Sequence, residues 1–147
     1  ADNNASVYLK DDEKPLPATI LMVSRGLDVA LVQVSSLPED MPYLKINPND
    51  EEKGARLYTV CHPLLMMYSA AEGIVSRYFD MPYKNGHLKY LQSTLPVDHG
   101  SSGGPVVNSR GEIVGLISAY RPSNMPMTLI VPSSTIYTLI HNILNGN

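Results

Sequence analysis

Short apolar, β-rich runs alternate along the chain with charged or proline- and glycine-bearing breaks. Residues 6–10 read as a first strand, with a charged turn over 11–15. A strand over 19–23 follows, Arg25-Gly26 turns the chain, and 29–34 is the next strand. Residues 35–54 are polar and dotted by Pro38, Pro42 and Pro48, which marks a linker. Its acidic run, 49–54, lacks the alternating oxygen spacing of a calcium loop and reads as a solvated loop. A second set of strands opens at 55–61 and continues through 73–78 and 87–94, with Asn85-Gly86 as a hairpin signal. Only the tail carries a helical period. Ile136, Leu139, Ile140, Ile143 and Leu144 share one face, Ser133 or Ser134 can cap the start, and Gly146 marks the stop.

Composition narrows the class. The 147 residues are 44% apolar, enough for a domain with a real core. No apolar run approaches the ~20 residues needed to span a membrane. The net charge of −3, with scattered basic residues, argues against nucleic acid as a partner. No signal-peptide pattern opens the chain. Cys61 is the only cysteine, so no internal disulfide can form. Cys61 and His62 are strand neighbours and point to opposite faces, which makes them a poor catalytic dyad; Cys61 reads as a buried apolar filler.

The stretch that carries chemistry is His99-Gly100-Ser101-Ser102-Gly103-Gly104-Pro105. Glycines around a serine let the backbone take positive φ and leave room for a ligand. Such a loop can aim successive N–H groups into one small space, as oxyanion stabilisation requires. The bland alternative is an ordinary Gly/Ser-rich turn. Gly100-x-Ser102-x-Gly104 also fits the nucleophile elbow of α/β-hydrolases, where a helix follows the serine. Here Pro105, Val106, Val107, Gly111, Ile113 and Val114 make a hairpin of apolar strands, so the elbow fails on context.

Residues 100–105 resemble the Gly-Asp/Asn-Ser-Gly-Gly-Pro signature of the trypsin-like serine proteases. Leu27-Asp28-Val29-Ala30-Leu31-Val32 resembles that family's Asp-Ile/Leu-Ala-Leu-Leu segment. Gly73-Ile74-Val75-Ser76, Gly115-Leu116-Ile117-Ser118-Ala119 and Ile130-Val131-Pro132-Ser133 are similar to strands of the HtrA/DegP-like branch, in the same order. The absence of disulfides fits that branch or organellar and viral ones. The resemblance implies an all-β fold of two six-stranded antiparallel barrels followed by a C-terminal helix. Residues 1–46 would hold the end of the first barrel and the linker's start, and 47–147 the second barrel and helix, together one protease domain.

The activity implied is serine endopeptidase, on peptides or unfolded proteins, with no cofactor and no metal. Ser102 would be the nucleophile, Asp28 the acid that orients the base, and the N–H groups of Gly100 and Ser102 the oxyanion hole. Taken without the serine motif, Asp28 reads as a turn or strand-entry residue. Pro96, His99, Ser118, Ala119 and Tyr120 would contact substrate. The pocket stretches 94–97, 118–120 and 127–129 hold no acid, which points to cleavage after small or medium aliphatic residues. Ser101 stands where the family has Asp or Asn, so a buried salt bridge to a new N-terminus cannot form.

The base is missing. The family order is histidine, aspartate, serine, and the four histidines, His62, His87, His99 and His141, all follow Asp28. In the HtrA branch the base lies roughly thirty residues ahead of the aspartate, which puts it upstream of Ala1. Residues 1–46 also supply too few strands to close a barrel, so an N-terminal segment is expected to complete it. His99 reads as a substrate contact or plain surface, His141 as a half-buried structural residue, and His62 and His87 as surface turn residues. The alternative function is a catalytically inactive protease-like module that binds extended peptides or partner proteins. The resemblance leans toward an extracytoplasmic or organellar location and leaves oligomerisation open.

Overall fold

The computed structural model describes residues 3–9, 14–61, 68–83, 86–121 and 127–146. It divides into two units, Ala1–Tyr43 and Leu44–Asn147.

In the first unit, β1 (Asn4–Val7), β2 (Leu16–Ser24) and β3 (Val29–Val34) form an antiparallel sheet in the order β1-β2-β3. The first strand begins earlier and ends sooner than its β-rich residues suggested, because its partners are Leu16 to Thr19 of β2. The β2–β3 hairpin closes on the pair Ser24 and Val29, with residues 25–28 as its loop. Leu27 N donates to Ser24 Oγ at 3.4 Å across that loop.

The second unit is a closed barrel. Its strands are β4 (Arg56–Cys61), β5 (Ser69–Tyr83), β6 (Gly86–Ser93), β7 (Pro105–Val107), β8 (Ile113–Arg121) and β9 (Met127–Pro132). They run β4-β5-β6-β9-β8-β7, and β7 closes the ring on β4 through Tyr58 with Val107 and Thr59 with Val106. Alternation decides which side chains fill it: Leu57, Thr59 and Cys61 of β4 point in, while Tyr58 and Val60 do not. Leu57, Val75, Leu91, Val106, Val114 and Ile130 form the buried centre, with Cys61 among them as expected. Fully burying side chains of this size contributes ~1.5–3 kcal/mol each. The hairpin signal lands between β5 and β6, where Tyr83 pairs with Gly86; Asn85 lies outside the described residues.

Helix α1 (Ser133–Leu144) follows β9 directly, but its start differs from expectation. The N-cap is Pro132, with no side-chain cap bond; Ser133 is fully buried as the first helical residue, and neither serine caps. Ser134 Oγ instead donates to Asp50 Oδ1 at 2.7 Å. A carboxylate from the linker thus stands at the positive end of the helix. Ile136 is buried as the period required, whereas Leu144 is 72% exposed. His141 is exposed too, correcting the half-buried role: it faces Tyr137 and Asn145 on the helix's own surface, with Asn145 Nδ2 3.0 Å from its Nδ1.

The acidic run is solvated at Asn49, Glu52, Lys53 and Gly54, which are exposed, whereas Asp50 and Glu51 are partly buried, and the stretch before them is paired. Lys45 O accepts from Ile113 N at 2.7 Å, and Asn47 N donates to Ile113 O at 2.9 Å, so this stretch lies along the start of β8. Glu51 Oε1 accepts from Asn47 Nδ2 at 3.0 Å and from buried Asn108 Nδ2 at 2.6 Å, and Arg110 pairs with it from outside. Asn108 and then Arg110 hold the Glu112 carboxyl below its ordinary value. Asp50 pairs with Lys89, whose ammonium stands 5.0 Å from the Tyr78 ring centroid.

Burial, reinforced by the Asp50 charge, pushes the Tyr78 phenol up to about 12. Unfolded, it titrates near its ordinary value of about 10. Below pH ~10 both states hold the proton and the stabilising contribution is whole; it is lost as pH rises from there toward the folded value. Urea denaturation is expected to show stability falling across that interval, and Tyr78→Phe to remove most of the fall.

Candidate active site

Two fused turns build the loop around Ser102. After β6 ends at Ser93, Leu95 and Val97 are buried, and Val97 N donates to Leu95 O at 3.1 Å, leaving Pro96 exposed at the apex of a three-residue turn. Ser101 N then donates to Asp98 O at 3.1 Å, with His99 and Gly100 at the exposed corners. Gly104 N donates to Ser101 O at 3.0 Å, with Ser102 and Gly103 at the next corners. Each turn needs a positive φ at its third residue, and Gly100 (φ 96°) and Gly103 (φ 82°) supply it. This is the physical reason for the glycines on either side of Ser102. Ser101, shared by both turns, is 1% exposed and points inward, which leaves Ser102 as the exposed serine.

The loop is fastened to β8. Gly103 N donates to Ile117 O at 2.7 Å, and Ile117 N donates to Gly104 O at 3.0 Å. The amides of Ser101, Gly103 and Gly104 are thereby spent on protein carbonyls, and His99 N donates to Asp98 Oδ1 at 2.7 Å. Among the described residues, the amides of Gly100 and Ser102 donate to none.

Ser102 Oγ lies 3.4 Å from Ser118 O, long for a hydroxyl hydrogen bond. Ser118 is the extra residue of a β-bulge, between the pairs Ile117 with Ile130 and Ala119 with Leu129. Bulges re-aim backbone beside functional sites. Beyond it, Ala119 and Tyr120 pair with β9 on one side, while the β7 pairing on the other stops at Pro105 with Leu116. Among the described residues, no strand pairs with Ala119 and Tyr120 on that second side. Asp28 belongs to the first unit, where it is exposed at the end of the β2–β3 turn with φ 57°. Aspartate is one of the few non-glycine residues that tolerates that conformation. Its position is the strand entry the local sequence predicts.

His99 is exposed within the Ser102 loop, and His87 is exposed within β6 rather than in a turn; His62 lies outside the described residues. Among the described residues, no group of three or more His, Cys, Asp or Glu is arranged to hold a metal, and no helix is long and apolar enough to cross a membrane. A feature the sequence reading missed is an apolar cleft of about 510 Å³ on the outer face of β4, β5 and β7, lined by Leu44, Tyr58, Val60, Ala71, Pro105 and Val107 among others. Its signal was available: Val60, at an outward strand position, is a large apolar residue left 54% exposed.

A closed six-stranded antiparallel barrel followed by one helix, with a paired sheet before it, is the architecture of solved proteases. The active form of the Rv3671c protease of M. tuberculosis superposes with a TM-score of 0.80 at 20% identity, over 96% of this chain and 63% of that one. The HtrA-type protease AlgW with a decapeptide gives 0.74 at 16% identity, over 91% of this chain and 42% of that one. Residues 1–116 match the trypsin-like peptidase domain, and the chain belongs to that family. HhoB of Synechocystis sp., assigned as a serine protease, is 24% identical over 146 residues, covering 96% of this chain and 34% of its own length. A protein assigned as a DegP-like periplasmic serine endoprotease in Pseudomonas fluorescens is 29% identical over 119 residues, covering 80% of this chain and 25% of its own length. The chain thus spans about a quarter to a third of the length of these curated relatives.

Proposed function

We propose that this chain is the greater part of a serine endopeptidase domain in which Ser102 attacks the peptide carbonyl. The observation that carries the reading is the Ser102 loop: an exposed serine on a fastened turn, with the amides of Gly100 and Ser102 donating to no carbonyl among the described residues. Those amides are the donors a developing oxyanion needs. Asp28 orients the base, a histidine carried upstream of Ala1 on a segment that also completes the first barrel. The first barrel and linker then take residues 1–46, and the second barrel and helix 47–147. The base takes the Ser102 Oγ proton as the carbonyl is attacked, and returns it to the leaving amine.

Extended peptide or unfolded protein adds as a strand along Ser118, Ala119 and Tyr120, with Pro96 and His99 on the facing loop. An extracytoplasmic setting is proposed on the strength of the periplasmic assignment of the DegP-like relative. The lack of any acid in the stretches 94–97, 118–120 and 127–129 supports cleavage after valine, alanine or leucine. A peptide library cleaved by the full-length protein checks this; dominant cleavage after Arg or Lys would sink the pocket assignment.

Hydrolysis of an unfolded protein substrate tests the reading as a whole. The full-length protein is expected to cleave it, and residues 1–147 alone to show only weak residual catalysis from binding and the oxyanion donors. Binding without turnover by the full-length protein would favour the inactive peptide-binding module instead.

A further inference from the structure

Two buried hydroxyls in the barrel have partners that neither the fold nor the proposed triad demands. Thr128, on β9, is 1% exposed, and its Oγ1 donates to Leu95 O at 2.7 Å. Thr59, on β4, is 3% exposed, and its Oγ1 donates to Pro105 O at 2.7 Å. Both side chains point into a core of Leu, Val and Ile, where valine would have almost the same shape and no hydroxyl to satisfy. A buried hydroxyl is unfavourable unless it is hydrogen-bonded, and each of these two is satisfied by the main-chain carbonyl it meets.

The carbonyls are the two ends of one segment. Leu95 stands seven residues before Ser102 and Pro105 three after it. At the first end the grip is tighter still. Leu95 N donates to Ser93 Oγ at 3.2 Å, and the Gly73 backbone abuts Leu95 so closely that a Cβ there would come within 2.6 Å of Leu95 N. Between these ends, among the described residues, the main-chain bonds from the loop to β8 go to Ile117. Gly100 and Ser102, whose amides donate to no carbonyl among the described residues, lie in the interval that the two threonines bound.

We propose that Thr59 and Thr128 are positioning residues that clamp the loop 95–105 and so fix where the Ser102 hydroxyl and the Gly100 and Ser102 amides converge. The proposal rests on the reading of Ser102 as nucleophile. Neither threonine touches substrate; each acts through a main-chain carbonyl. Removing the Thr128 hydroxyl leaves Leu95 O with the bond from Val97 N alone, and removing the Thr59 hydroxyl takes from Pro105 O its side-chain donor; either loss loosens one end of the loop. A misplacement of about 1 Å in a reacting constellation can lower the rate by about a hundredfold.

The test uses the full-length protein with Thr128→Val, Thr128→Ser, Thr59→Val and Thr59→Ser. It reads kcat and KM on a peptide substrate and the rate of Ser102 labelling by a fluorophosphonate, well below each variant's Tm. Both valine variants are expected to lose about ten- to a hundredfold in kcat and in labelling rate with KM nearly unchanged, and both serine variants to stay near wild type. Should one valine variant not fold, the other, at the opposite end of the loop, carries the same expectation. Valine variants that label and turn over at the wild-type rate would overturn the clamp, whatever their Tm. So would serine variants as impaired as the valine ones, since methyl packing and not the hydroxyl would then matter. A wild type that is not labelled at Ser102 would instead overturn the nucleophile reading, and the clamp with it.

Discussion

Ser102→Ala is expected to lower kcat of the full-length protein by about 10⁶-fold while leaving KM nearly unchanged. In the proposed mechanism the missing oxygen is the atom that forms the acyl bond, and among the described residues of the loop no other hydroxyl is placed to replace it. Ser101 is buried and points away from solvent, so only Ser102 is presented at the loop's surface. The backbone of the two turns is set by Gly100 and Gly103 and by the bonds to Ile117, none of which uses the serine side chain. The variant therefore keeps its loop and its substrate edge, and the loss falls on the chemical step. What survives comes from binding and the oxyanion donors, some 10³- to 10⁴-fold over water in comparable triads. Progress curves on a peptide substrate, with titration of active sites in the wild type, measure the ratio.

Asp28→Asn is expected to lower kcat by about 10⁴-fold, by analogy with the same change in a serine-histidine-aspartate triad. The amide presents a donor where the imidazole N–H needs an acceptor, so the base is held in the wrong tautomer, and the charge that stabilises the imidazolium is gone. The substitution is clean for a local reason. Asp28 sits at φ 57°, and asparagine tolerates that left-handed conformation as readily as aspartate. An unchanged Tm beside the large loss in kcat would separate the electrostatic role from the turn. A loss smaller than tenfold would remove Asp28 from the triad and leave it the strand-entry residue its neighbours predict.

Much of this was legible in the sequence, and the reasons differ by residue. The Ser102 loop could be read because turn chemistry is local: a positive φ at Gly100 and Gly103 needs glycine wherever the chain ends up. The barrel strands and the burial of Cys61 followed from alternation, which is equally local. What could not be read depends on partners distant in sequence. Ser134 looks like a helix cap, yet its hydroxyl goes to Asp50, 84 positions away. The acidic linker looks solvated, yet Glu51 is taken by Asn108, 57 positions on. Thr59 and Thr128 resemble any strand-forming residues until the carbonyls of Pro105 and Leu95 are seen beside them. His141 was expected to be half buried from its apolar neighbours, but the helix turns it out to the surface. The outward apolar residues of β4 carried a signal in the same alternation, a hydrophobic residue on the solvent phase of a strand, and they mark the cleft.

The central claim is that Ser102 is an activated nucleophile, and fluorophosphonate labelling of the full-length protein, followed by peptide mapping, tests it most directly. A single modified serine, Ser102, with labelling that disappears on heat denaturation and in the Ser102→Ala variant, is the predicted result. A folded full-length protein that carries its upstream histidine and yet takes up no label at Ser102 would contradict it.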